Sequence, residues 1–304
     1  MKLSILYRGP LSSCNYGCEY CPFAKVRETA AEHQADEMAL KQFVTWMANR
    51  TSDRLSVLFT PWGEALIHKR YQSALIQLSH LSQIEKVAIQ TNLSGSLQWI
   101  KQCDVTRLGL WATFHPSEIS RARFVEKCWE LEKHRVRFSV GVVGLKEHFD
   151  DIALLRQELP TSVYLWVNAY KRLDDYYTGS EIQQLSAIDP LFPLNNQRHL
   201  SLGRTCRTGH SVISVDGNGT IRRCHFVAEP LGNLYSADFE MVLKERLCPN
   251  ETCGCHIGYV HLDNLHLYEV FGEGVLERIP VSRAKKPLGS GLGAEENGLR
   301  AWGN

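Results

Sequence analysis

The chain lacks any apolar run near the ~18 to 20 residues that would span a bilayer, and its opening Met1-Lys2-Leu3-Ser4-Ile5-Leu6-Tyr7 turns polar too soon for a signal peptide. It also lacks a charge imbalance. Lys and Arg number 34 against 33 for Asp and Glu over 304 residues, so no global field draws in nucleic acid or an acidic membrane. No internal repeat of useful length is visible. These absences predict a soluble, cytoplasmic protein with no membrane partner, and they give nucleic acid no support. Cysteine, by contrast, is plentiful. Ten thiols would be at risk in an oxidising compartment, whereas a reducing cytoplasm keeps them available for metal.

Three of them form the run Cys14-Asn15-Tyr16-Gly17-Cys18-Glu19-Tyr20-Cys21, with C-x3-C-x2-C spacing and no fourth cysteine before Cys103 and Cys128. A four-iron cluster held by four thiolates is coordinatively closed and mainly passes electrons; three thiolates leave one iron open as a reaction site. Zinc normally wants a fourth Cys or His nearby, and disulfides suit short secreted chains. The run resembles the signature of the radical S-adenosylmethionine (radical SAM) superfamily. That resemblance implies that Cys14, Cys18 and Cys21 hold a 4Fe-4S cluster, and that Tyr20 lies near the adenine of bound S-adenosylmethionine (AdoMet).

From residue 3 to about 172, short β-branched or apolar runs alternate with amphipathic stretches, the pattern of βα units on a parallel sheet. Six strands are predicted, at 3–7, 55–60, 86–90, 108–114, 136–143 and 163–168. Helices are predicted at 37–49, where Met38, Leu40, Phe43, Val44 and Met47 fall near helical spacing, at 117–134, and at 181–187 within a connector ended near Pro190 and Pro193. At 304 residues one large domain plus a smaller one is expected. The reading assigns 1–200 to a core barrel, 201–265 to a cysteine-rich unit and 266–304 to a C-terminal extension whose glycine-rich tail past about 281 is flexible. The fold class expected is α/β, and the resemblance implies a partial (β/α)6 TIM-like barrel with a small C-terminal twitch-like unit.

In such sheets chemistry gathers at the carboxyl ends of the strands, and the unusual residues fall there. Gly63-Glu64 follows the second run: glycine lets the backbone approach a ligand, and a carboxylate can pair with an ammonium, though an acid at a helix start is the plainer reading. The pair is similar to the superfamily's G-E-P element, with Ala65 in place of proline, which implies binding of the methionine amino group. Thr91-Asn92 ends the third run and resembles the T-N found there in many members; helix capping competes for Asn92. Thr113 and His115 end the fourth run, where the family commonly touches ribose or carboxylate, and His115 reads equally as a structural histidine. Gly141-Val142-Val143-Gly144 is similar to the adenine-contacting segment, with Gly144 at its end, or is a strand with glycine kinks. Arg8, Trp62, Trp166, Tyr170 and Lys171 are softer cavity candidates.

Cys206, Gly219 and Cys224 fit C-x9-15-G-x4-C, with Val215-Asp216-Gly217-Asn218-Gly219 reading as a hairpin turn that brings two thiols toward one metal. Cys248, Cys253 and Cys255 follow. This half resembles SPASM/twitch extensions, and five cysteines suffice for one auxiliary 4Fe-4S cluster. The preferred ligands are Cys206, Cys224, Cys253 and Cys255, with Cys248 the alternative to either of the last pair; a structural zinc knuckle remains open.

By resemblance, the chain is a radical SAM oxidoreductase or transferase. It takes an electron from a reductant such as flavodoxin or ferredoxin, cleaves AdoMet, normally to a 5'-deoxyadenosyl radical, and abstracts hydrogen from a substrate carbon. A ribosomal peptide is the first substrate expected. A nucleoside, sugar or amino-acid-derived metabolite is the runner-up, since no separate leader-peptide-binding domain is seen before the first strand. An iron-sulfur electron carrier and a zinc-stabilised interaction protein are the other classes, and methylthioadenosine as product would indicate aminocarboxypropyl transfer instead.

Overall fold

The computed structural model describes residues 1–23 and 26–283. The glycine-rich tail from residue 284 onward lies outside the described residues. All six strands expected from the apolar runs form: β1 (Lys2–Arg8), β2 (Arg54–Phe59), β3 (Ile84–Thr91), β4 (Leu108–Phe114), β5 (Arg137–Val143) and β6 (Leu165–Asn168). They lie side by side in chain order, every pair parallel, with Ile5 opposite Val57, Val57 opposite Val87 and Val140 opposite Leu165. Between and after them run α1 (Ala30–Asn49), α2 (Lys69–Ser79), α3 (Arg121–Lys133), α4 (Phe149–Glu158), α5 (Gly179–Ile188) and α6 (Phe192–Asn195).

Two helix starts and the make-up of the connector differ from the sequence expectation, each for a local reason. α1 begins at Ala30, seven residues before 37, because Thr29 and Glu32 form a reciprocal cap: the Thr29 amide donates to Glu32 (2.7 Å) and the Glu32 amide to the Thr29 hydroxyl (3.3 Å). α3 begins at Arg121 rather than 117, since the amides of Glu118 and Ile119 both turn back onto the His115 carbonyl. The 174–199 connector holds a second helix, because Pro193 sits in the first turn of α6, where a missing N–H costs nothing.

Beyond the connector come β7 (His199–Leu200), β8 (Val212–Asp216), β9 (Thr220–Arg222), β10 (Pro230–Asn233) and β11 (Thr252–Cys253), then α7 (His256–Tyr259) and α8 (Leu267–Phe271). The predicted hairpin is β8–β9. Its turn is fixed by Asp216, whose side chain accepts from the amides of Asn218 and Thr220 at 3.0 Å, and by Gly219 at φ +78°. β8 also pairs in parallel with β1, placing Ile213 opposite Ile5, so the segment after residue 200 adds β8, β9 and β10 to the main sheet. The result is a mixed α/β fold on a nine-stranded, mostly parallel sheet.

Period-2 alternation assigns each strand residue to a face. Ile5, Val57, Val87, Leu110, Val140 and Leu165 pack in the larger core with residues of α1 to α5. Leu6, Leu58, Ala88, Trp111, Tyr164 and Trp166 face the other way and are covered by Ile257, Tyr259, Leu267, Phe271, Val275 and Leu276. Both faces are therefore dry, as parallel sheets require. The covering segment is pinned by Glu277, fully buried, whose carboxylate pairs with Lys86 (2.6 Å) and Arg137 (2.9 Å). Glu277→Ala leaves Lys86 charged and unpartnered in the interior, and a denaturant titration is expected to show a loss of about 3 to 5 kcal/mol.

Candidate active site

The carboxyl ends of β1 to β6 enclose a cavity of about 570 Å³. Cys14, Cys18, Cys21, Gly63, Glu64, Thr91, Asn92, Thr113 and His115 all line it. Sequence positions spread over a hundred residues thus converge because every one lies at a strand end or in the loop just after it.

The cysteine loop is seated on the end of β2. Gly63 lies so close to Ser13 that a Cβ there would be 1.7 Å from the Ser13 carbonyl oxygen, and the Glu64 amide donates to that same oxygen at 3.1 Å. Glycine is required here for backbone approach, as the sequence suggested, but the approaching partner in this structure is the loop itself. On the loop's other side, Ser12 and Ser13 are fastened to Glu28. Cys14 receives the backbone N–H of Tyr16 at 3.4 Å and faces the side-chain Nδ2 of Asn92 at 3.8 Å. Burial pushes the Cys14 and Cys18 thiols up, so they are neutral without a metal; a bound cation reverses that balance.

Glu64 is buried and engaged by three donors: the Asn92 amide (2.5 Å), the Leu66 amide (2.9 Å) and the Thr91 hydroxyl (2.9 Å). Burial outweighs these hydrogen bonds and pushes its carboxyl up to about 7. The bond to Leu66 caps the short turn at Ala65–Ile67, so the helix-start reading is realised alongside the cavity placement. His115 has its Nδ1 2.7 Å from the Tyr20 hydroxyl and 3.3 Å from Cys18 Sγ, and burial pushes its ring down to about 4. Tyr20 reaches the site through this contact and stacks on the imidazole at 6.0 Å.

Gly144 is placed differently. Its amide donates to Asn168, its carbonyl accepts from the Tyr177 hydroxyl at 2.6 Å, and a Cβ would meet Tyr177 and Val167 at 2.9 Å; Val143, not Gly144, lines the cavity. Of the softer candidates, Arg8, Trp62 and Trp166 line it. Tyr170 packs at a tilt against Tyr176, and Lys171 donates to the carbonyls of Asn195 and Gly254.

The ten cysteines are all free thiols. Downstream, the Cys248 amide donates to Arg204 and the Gly203 amide to Cys248, both at 2.9 Å, while β11 pairs Cys253 with His199. These links fold 199–204 and 248–253 against each other. Burial raises Cys224 to about 11, with Cys206 and Cys248 adding to it. Burial likewise raises Cys253 to about 12, helped by Cys224, Cys255 and Cys248. Cys224 thus lies within electrostatic reach of Cys206 and Cys248, and Cys253 within reach of Cys224, Cys255 and Cys248; Cys255 is exposed and also lines the cavity. Among the described residues no three Cys, His, Asp or Glu side chains converge on one metal ion.

Sequence reasoning missed His225, His256 and Arg278 in the lining. His225 directly follows Cys224 and joins the hairpin to the site, with Nε2 2.9 Å from the Thr60 hydroxyl and Nδ1 2.6 Å from that of Ser214. Arg278 had a signal in the run Val275-Leu276-Glu277-Arg278-Ile279, where two charges interrupt an apolar stretch.

No protein-family model and no curated protein matches the chain. Solved structures do. Native anSMEcpe with bound AdoMet and Cp18Cys peptide is 17% identical over 80% of this chain and 82% of that one, at a TM-score of 0.50. The same protein with Kp18Cys peptide gives 16% identity over 76% and 77%, at 0.52. SuiB of Streptococcus suis gives 14% identity over 81% and 67%, at 0.52. At these identities the likeness is one of fold. Among the described residues no helix is long and apolar enough to cross a membrane.

Proposed function

We propose that the chain is a radical SAM enzyme. Cys14, Cys18 and Cys21 hold a three-thiolate 4Fe-4S cluster, and the cavity beside it takes AdoMet and substrate. The observation that carries this reading is the arrival of all three thiols in one cavity with Glu64, Asn92 and His115, at the carboxyl ends of parallel strands. A fold shared with AdoMet-bound anSMEcpe supports it, as do six consecutive parallel strands, which suit a partial (β/α)6 barrel. The donor set fits: soft thiolates in a mostly apolar pocket, with amide N–H groups from Tyr16 and Asn92 directed at Cys14 sulfur, as clusters favour.

When bound, such a cluster supplies the electron that breaks a carbon-sulfur bond of AdoMet and so starts hydrogen abstraction from a substrate carbon. The residues around it have separate tasks. Gly63 and Ser13 fix the loop. Glu64, held by Asn92, Thr91 and Leu66, presents a carboxylate edge to the AdoMet ammonium. His115 and Tyr20 wall off the Cys18 side, and Trp62, Trp111 and Trp166 keep water from the reacting atoms.

A second, auxiliary cluster fits Cys206, Cys224, Cys248 and Cys253: Cys224 feels both Cys206 and Cys248, Cys253 feels Cys224 and Cys248, and Cys255 is exposed and lines the main cavity. Cys255 then belongs to the cavity. Cys253→Ser is expected to lower iron by one cluster and Cys255→Ser to leave it unchanged, by iron and zinc analysis of anaerobically reconstituted protein; stoichiometric zinc at this site overturns the assignment. The peptide-bound neighbour favours a peptide substrate. The reading is tested by incubating reduced, reconstituted protein with AdoMet: 5'-deoxyadenosine is expected, methylthioadenosine would move the reaction to aminocarboxypropyl transfer, and neither product would leave an electron carrier.

A further inference from the structure

Among the described residues, Arg278 is a buried charge without a partner. It is 2% exposed, yet among the described residues its guanidinium makes no hydrogen bond and no ion pair, and its Nε is buried with nothing to donate to. The other deeply buried charges each have at least one partner: Lys86 pairs with Glu277, Asp36 with Arg70, and Arg223, although its Nε is also unpartnered, donates through its terminal nitrogens to the carbonyls of Leu247 and Arg246. An unpaired buried cation is costly, so its retention calls for a ligand.

The surroundings hold the group in place while leaving its donors free. The guanidinium carbon lies 4.4 Å from the Trp166 ring centroid and 5.5 Å from that of Trp111. Those rings are themselves fixed: they meet edge to face at 5.2 Å, and Trp166 Nε1 donates to the Ser139 hydroxyl at 3.1 Å. Gly141 makes room, since a Cβ there would lie 1.9 Å from the Trp166 ring. Stacking holds a guanidinium by its face and leaves its in-plane N–H fork available for a planar or tetrahedral anion. The backbone at Arg278 is left-handed, φ +55°, a conformation costly for a non-glycine residue and held here by the Ile279 amide donating to Gly274.

Among the described residues no carboxylate answers it. Asp189, which does feel its charge, is engaged by the Tyr164 hydroxyl (2.6 Å) and the amides of Val167 (2.9 Å) and Leu191 (3.0 Å). The adjacent Glu277 turns away to Lys86 and Arg137. Arg278 lines the cavity, whose lining among the described residues has two permanent cations, Arg8 and Arg278, and one acid, Glu64, already held by three donors.

We infer that Arg278 binds an anionic group of the substrate, a carboxylate or a phosphate, on the β4–β6 side of the cavity. The word substrate rests on the radical SAM reading; the anion site itself does not. The cysteine loop and Glu64 serve the β1–β3 side, so an anion at Arg278 anchors the substrate across from the cofactor and turns its reacting carbon toward it.

The test is calorimetric titration of reconstituted protein, with and without saturating AdoMet, using inorganic phosphate, succinate and, as a neutral control, succinamide. Succinate or phosphate is expected to bind the AdoMet-loaded protein saturably, succinamide not at all. Arg278→Gln weakens the anion about tenfold or more, Arg278→Lys recovers part of the loss, and AdoMet affinity stays the same in both. Phosphate binding tighter than succinate assigns a phosphate-bearing substrate; the reverse assigns a carboxylate. Absence of anion binding, equal binding by Arg278→Gln, or a parallel loss of AdoMet affinity overturns the inference, the last because the guanidinium then serves the AdoMet carboxylate. Should Arg278→Gln melt at the working temperature, competition between AdoMet and the anion on the unaltered protein decides. If AdoMet fails to bind at all while the anion still binds through Arg278, the functional reading falls and the anion site stands.

Discussion

Replacing Cys18 by serine reduces 5'-deoxyadenosine formation to the level of a protein-free control. Two thiolates and an alcohol do not retain the cluster, and no other side chain in this loop can take the vacant place: Cys14 and Cys21 are already ligands in this account, and the imidazole of His115, 3.3 Å from Cys18 Sγ, is engaged by the Tyr20 hydroxyl. The exchange is nearly isosteric, so the fold survives it. Anaerobic iron analysis is expected to show one cluster lost and the auxiliary one retained, with the melting temperature little changed. Retained cleavage in Cys18→Ser would contradict the ligand assignment, whereas loss of both clusters would signal a folding defect.

Gly63→Ala has the second-largest effect, although no atom of this residue need touch the reacting groups. The added methyl carbon would sit 1.7 Å from the Ser13 carbonyl oxygen and 2.4 Å from its carbon, both backbone atoms one residue from Cys14, so the loop must shift. A displacement of about 1 Å at a reacting centre costs on the order of 10²-fold in rate, and AdoMet cleavage is expected to fall by that much. Gly17→Ala is the matched control. It lies in the same loop, directly before Cys18, but its new methyl would find among the described residues only the Glu118 carboxylate at 3.8 Å, an ordinary contact, so the loop need not shift and the cleavage rate should stay within about twofold of the parent. Equal rates for Gly63→Ala and the parent would mean that the loop does not depend on this seat.

Much of this was legible in the residues. The six strands could be read because each is a short apolar run with turn chemistry at its ends, and a parallel sheet buried on both faces makes such runs continuous. The cysteine loop, Glu64, Asn92 and His115 were found together because strand-end position alone predicts convergence. What sequence could not supply was the third dimension of the later half. The pairing of β8 with β1 is a contact between residues more than two hundred positions apart, with no local signal at either strand. The choice between Cys248 and Cys255 turns on how 199–204 and 248–253 fold against each other, which spacing does not encode. Gly144 was assigned to the cavity by its place after β5, but Tyr177, arriving from the connector, occupies the space beside it. Arg278 escaped notice because its meaning lies in the absence of a partner, which only packing reveals.

The most direct test of the central claim is electron paramagnetic resonance of the anaerobically reconstituted, reduced protein, recorded with and without AdoMet labelled with nitrogen-15 at its amino group. The account predicts a four-iron signal that changes when AdoMet is added, with hyperfine coupling from the labelled nitrogen, both lost in Cys18→Ser. A signal indifferent to AdoMet, or a protein that binds no iron through Cys14, Cys18 and Cys21, would contradict it.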